Sequence, residues 1–208
     1  MRLPNIFTSA ADIMAGYLLV SGLEIQLSLL ILLSLASMSL YAGGVILNDY
    51  FDYYRDLKER PERPLPAGKI TRFRALLFGL MFLLLGNGLA FNVNWYSFIT
   101  ALTITLLIFL YDALSKDIPF FGPLTMAGCR FFNIILGTSV ITSFHPWGYF
   151  VAFLLFCYIF ALTMLSKGES GQVKAKIALP QIIVVIGIVI ALIFLQRFAG
   201  ILRSDMFL

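Results

Sequence analysis

The segment Asn48-Asp49-Tyr50-Phe51-Asp52-Tyr53-Tyr54-Arg55-Asp56 gathers three carboxylates and an amide in an otherwise apolar chain. Read as a helix at 100° per residue, Asp49, Asp52 and Asp56 fall within about 60° of one another, with Asn48 at the edge of the same stripe. Such oxygen-only donors suit a hard cation. Mg²⁺ takes one or two carboxylates and completes its octahedron with water and substrate phosphate. The stripe also ends an apolar run, where the helix dipole adds partial negative charge and a neighbouring cation is favoured. The competing reading is a solvated acidic patch paired with Arg55, Lys58 and Arg60. Against it, Arg55 falls about 60° or more outside the stripe. The tract also runs directly into Arg60-Pro61-Glu62-Arg63-Pro64-Leu65-Pro66-Ala67-Gly68-Lys69, a proline-stiffened loop with cations at its start and end.

Other polar residues interrupt apolar runs. In Tyr111-Asp112-Ala113-Leu114-Ser115-Lys116-Asp117, Tyr111 and Lys116 read either as site residues or as snorkelling anchors of a helix end. Arg130 lies deep in an apolar run, with Asn133 one turn later on the same side. A charge at that depth faces a cavity or a partner, and Asp12 in the first apolar run is the candidate counter-ion. A structural ion pair locking two helices is the alternative. Asn87, between Gly86 and Gly88, reads as a close-packing site with an interhelical hydrogen bond. Cys129 and Cys157 sit inside apolar runs and form no C-x-x-C pair, so neither a disulfide nor a zinc centre is expected. His145, beside Pro146, falls at the opposite end of the spans from the acidic tract and receives no catalytic role.

These residues must be positioned by helices in lipid. Of the 208 residues 60% are apolar and only 12% charged, against roughly 25% charged in globular proteins. A bilayer core needs about 20 apolar residues per helix. Seven spans are expected, near 8–23, 27–48, 73–91, 95–112, 120–142, 147–165 and 176–197, forming an all-α, polytopic transmembrane bundle and one domain over 1–208. Asp12 interrupts the first run and no small-x-small cleavage site follows, so this segment is read as a span rather than a signal peptide. With the N-terminus cytoplasmic, twelve of the fifteen Lys and Arg residues fall on the inner side, the orientation the positive-inside rule requires. The net charge of +4 thus reports membrane topology, not nucleic-acid binding. The expected setting is an integral membrane protein with membrane lipid as its neighbour. Self-association is left open.

The combined pattern Asn48-Asp49-x-x-Asp52-x-x-x-Asp56 with Arg60-Pro61-x-Arg63-Pro64-Leu65-Pro66-x-Gly68 resembles the first aspartate-rich motif and following loop of the UbiA family of intramembrane prenyltransferases. The resemblance implies a helical bundle around a membrane cavity, where aspartates bind a prenyl diphosphate through Mg²⁺ and an acceptor is alkylated. Carried onto this chain, it assigns Asp49, Asp52, Asp56 and Glu169 to metal, and Asn48, Arg63, Lys116 and Arg130 to the diphosphate. Asp49, Asp52, Lys116 and Tyr111 would form the catalytic set, with Tyr111 bordering the reacting carbon. The expected activity is Mg²⁺-dependent prenyl transfer to a small, aromatic acceptor. The alternative is a non-catalytic prenyl-diphosphate binding or carrier protein with a degenerate second metal site.

Two departures point to a divergent branch of that family. Its second motif, D-x-x-x-D after the sixth helix, is replaced by Ser166-Lys167-Gly168-Glu169-Ser170-Gly171-Gln172, with Glu169 as its one acid. The family's usual nine spans are seven here, the last two apparently lacking. An ion-coupled transporter would use Asp12 and Arg130 but leaves the aspartate-proline-arginine tract unexplained. The D-x-x-D-G-x-x-A-R arrangement of CDP-alcohol phosphotransferases is not supplied by Phe51-Asp52-Tyr53-Tyr54-Arg55.

Overall fold

The structure is a computed structural model that describes residues 3–21, 25–141 and 145–168. Its helices are α1 (Leu3–Ser21), α2 (Leu27–Phe51), α3 (Tyr53–Glu59), α4 (Arg72–Phe91), α5 (Trp95–Leu110), α6 (Phe121–Thr138) and α7 (Pro146–Gly168). There is no strand among the described residues. Six of the expected spans are present with ends shifted by a few residues. The seventh, expected at 176–197, lies outside the described residues, as does Glu169.

Among the described residues, four helical segments are long and apolar enough to cross a membrane: Leu27–Phe51, Arg72–Phe91, Trp95–Ser115 and Pro146–Met164. Outward-facing Leu77, Leu84, Leu106 and Phe153 remain exposed, as side chains bathed in lipid do. Lipid tails are as apolar as these side chains, so helix association depends on close packing and interhelical hydrogen bonds instead. Both are present. Asn87 donates to Thr105 Oγ1 at 2.8 Å, tying α4 to α5. Asn94 caps α5 by accepting from Ser97 N, and its amide donates to the Ser139 carbonyl at 2.7 Å. Leu40, Leu47, Leu83, Ile104, Ile108 and Leu136 fill the core between these helices.

α1 and α6 cross closely at Gly16 and Gly137. A side chain at Gly16 would run into the Ile134 carbonyl oxygen, and one at Gly137 into that of Ile13. Glycine therefore sets how near Asp12 comes to the polar residues of α6.

The acidic tract continues the helical hydrogen-bond ladder, with a joint. Asp52 N–H bonds to the Asn48 carbonyl at 2.9 Å and Asp56 N–H to that of Asp52 at 2.8 Å. At Asp52 itself ψ is −1°, well away from the helical value, so α2 stops at Phe51 and α3 begins at Tyr53. The loop to α4 turns through Gly68, whose φ of 73° favours a residue without Cβ. Buried Leu65 anchors that loop.

Candidate active site

The joint at Asp52 distributes three carboxylates between two cations. Arg63 Nη1 contacts Asp56 at 2.7 Å and Asp49 at 3.3 Å, so one guanidinium bridges residues two helical turns apart. Asp52 instead accepts from Lys116 Nζ at 2.6 Å. Asn48 donates to Asp112 at 2.9 Å. Arg55 approaches Asp52 at 3.6 Å but bonds both carboxylate oxygens of Asp117 at 2.8 Å. Local pairing of the acids thus persists between Arg55 and Asp52, while the shorter contacts come from Arg63 and Lys116.

Arg63 and Lys116 arrive on different supports. Arg63 belongs to the proline loop, which folds on itself through Ala67 N–H to the Arg63 carbonyl and Lys69 N–H to that of Pro64. Lys116 follows a π-helical turn, Tyr111–Ser115, that ends the fourth span. Widening the helix there places Asp112 and Ser115 inward, where Ser115 shares a 2.8 Å hydrogen bond with Thr125 of α6. Insertions of this type occur often at functional sites.

Burial by itself would depress the Arg63 pKa. Its hydrogen bond to Asp56 and the charges of Asp56, Asp49 and Asp52 more than offset that, holding it above the usual guanidinium value. Arg55 is likewise raised, chiefly by its hydrogen bond to Asp117.

Beneath this polar rim lies a cavity of about 680 Å³. Asn48, Asp49, Arg63, Tyr111 and Asp112 line its upper part, and Leu40, Phe78, Phe82, Ile104 and Ile108 form an apolar wall. Ser9, Ser37, Arg130 and Asn133 form a polar corner deeper in the bundle. There Arg130 Nη1 meets Asp12 at 2.8 Å. Asn133 donates to Asp12 at 3.0 Å and to the Ser9 carbonyl at 2.9 Å, and it accepts from Ser37 at 2.6 Å.

Five carboxylates, Asp49, Asp52, Asp56, Asp112 and Asp117, gather near three cations, Arg55, Arg63 and Lys116. That surplus of negative charge and the all-oxygen donor set fit a hard divalent cation. No three acids converge on a single metal-ligating point among the described residues. Arg63 holds Asp49 and Asp56 together, and Lys116 holds Asp52.

The structure therefore places Asn48, Asp49, Arg63 and Tyr111 in the lining at one end of the cavity, whereas Asp56, paired with Arg63, and Asp52, paired with Lys116, lie outside that lining. Arg130 lines the same cavity away from that end, paired with Asp12 as anticipated. Asp112 was missed as a site residue, although a carboxylate at the end of an apolar run was a signal for it. The inward faces of Tyr41, Phe78 and Phe82 carried none.

Fold and site together define a polytopic helical membrane protein whose cavity is lined at one end by aspartates and an arginine. Residues 10–203 match the sequence model of the UbiA prenyltransferase family, and the chain belongs to that family. The digeranylgeranylglyceryl phosphate synthase of Sulfurisphaera tokodaii is 34% identical over 146 residues, which are 70% of this chain and 49% of that protein. A solved structure described as giving insights into digeranylgeranylglyceryl phosphate synthase in membranes superposes with a TM-score of 0.68 and 26% identity. The match covers 78% of this chain and 57% of that one. A UbiA homologue from Archaeoglobus fulgidus, solved bound to DMAPP and Mg²⁺, has a TM-score of 0.64 at 18% identity, covering 96% of this chain and 72% of that one. At that identity the likeness is one of fold. The chain spans about half the length of the Sulfurisphaera relative.

Proposed function

We propose that the protein transfers a prenyl group from a prenyl diphosphate to a small acceptor inside the membrane. The observation that carries this reading is a cluster of acids and bases in which Asp49 and Arg63 line the mouth of an apolar-walled cavity, with Asp56 paired to Arg63 and Asp52 to Lys116 beside them. Asp49, Asp52 and Asp56 would hold Mg²⁺, with Glu169 contributing from outside the described residues. When bound, the metal neutralises charge developing on the leaving diphosphate. Arg63 and Lys116 exchange their carboxylate partners for phosphate oxygens as substrate enters. Asn48 holds Asp112 in place, and Tyr111 borders the carbon whose C–O bond breaks. The apolar wall keeps water from that carbon. As the acceptor's nucleophile bonds to it, the electron pair of the old bond leaves with diphosphate. Asp112, a cavity-lining carboxylate outside the metal set, is placed to take the acceptor's proton.

An aromatic acceptor is supported by Tyr41, Phe78, Phe82 and Tyr111 in the lining. The name of the Sulfurisphaera relative, a glyceryl phosphate synthase, favours a non-aromatic one. The test is to incubate purified protein with prenyl diphosphates of several lengths and both acceptor types, with and without Mg²⁺, alongside Asp49→Asn/Asp52→Asn. Mg²⁺-dependent product that falls at least 100-fold in the double variant is expected. No product under conditions where a full-length relative works would overturn the enzyme reading. Diphosphate binding that survived in that case would leave the carrier reading, which predicts that Glu169→Ala has no effect on binding.

A further inference from the structure

The polar corner of the cavity lies apart from the diphosphate end. Ser37 and Asp49 are twelve residues apart on α2, about 18 Å of helix axis, and Arg130 sits about 14 Å into α6. A single diphosphate group cannot reach both ends. Arg130 therefore faces a different group from the one expected of it on the diphosphate.

The hydrogen bonds at the corner specify what that group offers. Asp12 stands behind, absent from the lining, and spends its charge on Arg130 and Asn133. The Arg130 side chain keeps 22% of its surface accessible against 12% for Asp12. Arg130 has five N–H groups in a rigid fork, its Nη1 meets Asp12 at 2.8 Å, and its side chain lines the cavity. The fork carries more donors than the two oxygens of one carboxylate can take up. Beside the fork are acceptors. The Ser9 hydroxyl is already donating to the Ile6 carbonyl at 2.7 Å and the Ser37 hydroxyl to Asn133, which leaves each oxygen able only to accept. Both Asn133 N–H groups are used, and its oxygen retains one lone pair.

A matching ligand must accept from Arg130 and donate to Ser9, Ser37 or Asn133. A hydroxyl does both. A carboxylate or phosphate can only accept, and would bring uncompensated charge beside an arginine already neutralised by Asp12.

We propose that Ser9, Ser37, Arg130 and Asn133, with Asp12 holding the last two, form the acceptor's seat and select an uncharged head bearing hydroxyl groups. This rests on the prenyl-transfer reading and deepens it. The apolar wall then takes the prenyl chain, and the corner fixes the acceptor's far end so that its nucleophile faces the diphosphate-bearing carbon.

The experiment is a prenyl-transfer assay on purified full-chain protein with Mg²⁺, geranylgeranyl diphosphate and two matched acceptor pairs. One pair is a 1-O-alkylglycerol and its phosphate, the other 4-hydroxybenzyl alcohol and 4-hydroxybenzoate. In at least one pair the uncharged member should be used with kcat/KM at least tenfold higher. Arg130→Met and Ser37→Ala should raise the KM for that acceptor at least fivefold and leave the KM for the prenyl diphosphate unchanged. Preference for the charged member of both pairs would overturn the proposal, as would a shift confined to the diphosphate KM. Loss of stability with unchanged acceptor KM would make the corner a structural ion pair only. Should Arg130→Met fail to fold, Asp12→Asn/Arg130→Gln removes the charge pair with similar shape, and raised melting of the wild type by the uncharged member alone gives a second measurement. If the wild type transfers to none of the four, the prenyl-transfer reading fails and this proposal with it; transfer to charged acceptors alone defeats only the proposal.

Discussion

Arg63 is the residue on which the acidic tract converges, because its one nitrogen contacts both Asp49 and Asp56 and the Asp56 side chain keeps only 5% of its surface accessible. Arg63→Gln leaves two close carboxylates without their shared partner and, on the proposed function, the diphosphate without a donor. Its kcat/KM for the prenyl diphosphate should fall by about 10²–10³-fold, in line with the loss of one well-aimed transition-state donor. The pKa of Arg63 is raised, so its charged form is complete below the usual guanidinium range and is lost only as pH climbs through the higher folded value. The wild type should therefore show no alkaline loss from this residue at working pH. Arg63→Lys substitutes an ammonium whose ordinary pKa is about 10.4, and its activity profile should acquire an alkaline limb between about pH 9 and 11. A rate profile of the two proteins measured over that range decides it: identical limbs would show that Arg63 does not meet the substrate.

At the scale of elements, α2, α3 and α4 are clamped at the membrane surface by Arg72. Its guanidinium carbon lies 5.0, 4.7 and 4.9 Å from the ring centres of Tyr50, Tyr53 and Tyr54, and it donates to the Tyr54 hydroxyl at 3.2 Å. These tyrosines alternate with Asp49, Asp52 and Asp56, so the clamp fixes the joint that divides the acids between Arg63 and Lys116. Arg72→Ala should cost about 2 kcal/mol of stability and raise the Mg²⁺ concentration needed for half-maximal transfer, with Arg72→Lys intermediate on both measures. An unchanged Mg²⁺ requirement would restrict the clamp to stability. At the α1–α6 crossing, Gly16→Leu should cost about 1–3 kcal/mol by overpacking, read as lowered thermal stability in detergent. The spans were legible because twenty apolar residues have one economical arrangement in lipid, and the Asp12–Arg130 pair because a buried charge demands a partner. The joint at Asp52 and the π turn at Tyr111 were not: each is a small change in hydrogen-bond geometry that leaves no pattern in residue type. Arg63 was legible as a cation, but its two partners depend on how the proline loop folds back over α2 and α3.

For the whole molecule, the arrangement of charge predicts which compartment the aspartate end faces. Arg55, Lys58, Arg60, Arg63, Lys69, Arg72, Arg74 and Lys116 all belong to the end of the bundle that carries the aspartates. The opposite turn from Asn92 to Asn94, between α4 and α5, has no charge, and Asn94 ties it to the end of α6. The positive-inside rule predicts a cytoplasmic aspartate end, and on the proposed function a water-soluble diphosphate head would approach there while its prenyl chain enters from lipid. Single cysteines introduced at Glu62 and Asn92, in a background where Cys129 and Cys157 are serine, test this with a membrane-impermeant maleimide. Glu62→Cys should label only in inverted vesicles and Asn92→Cys only in intact spheroplasts. The reverse pattern would turn the carboxylate rim to the outside. Arg63 and Lys116 would then have to meet a substrate delivered across the membrane, and the proposed supply of prenyl diphosphate from the cytoplasm would be wrong even if the transfer chemistry were right.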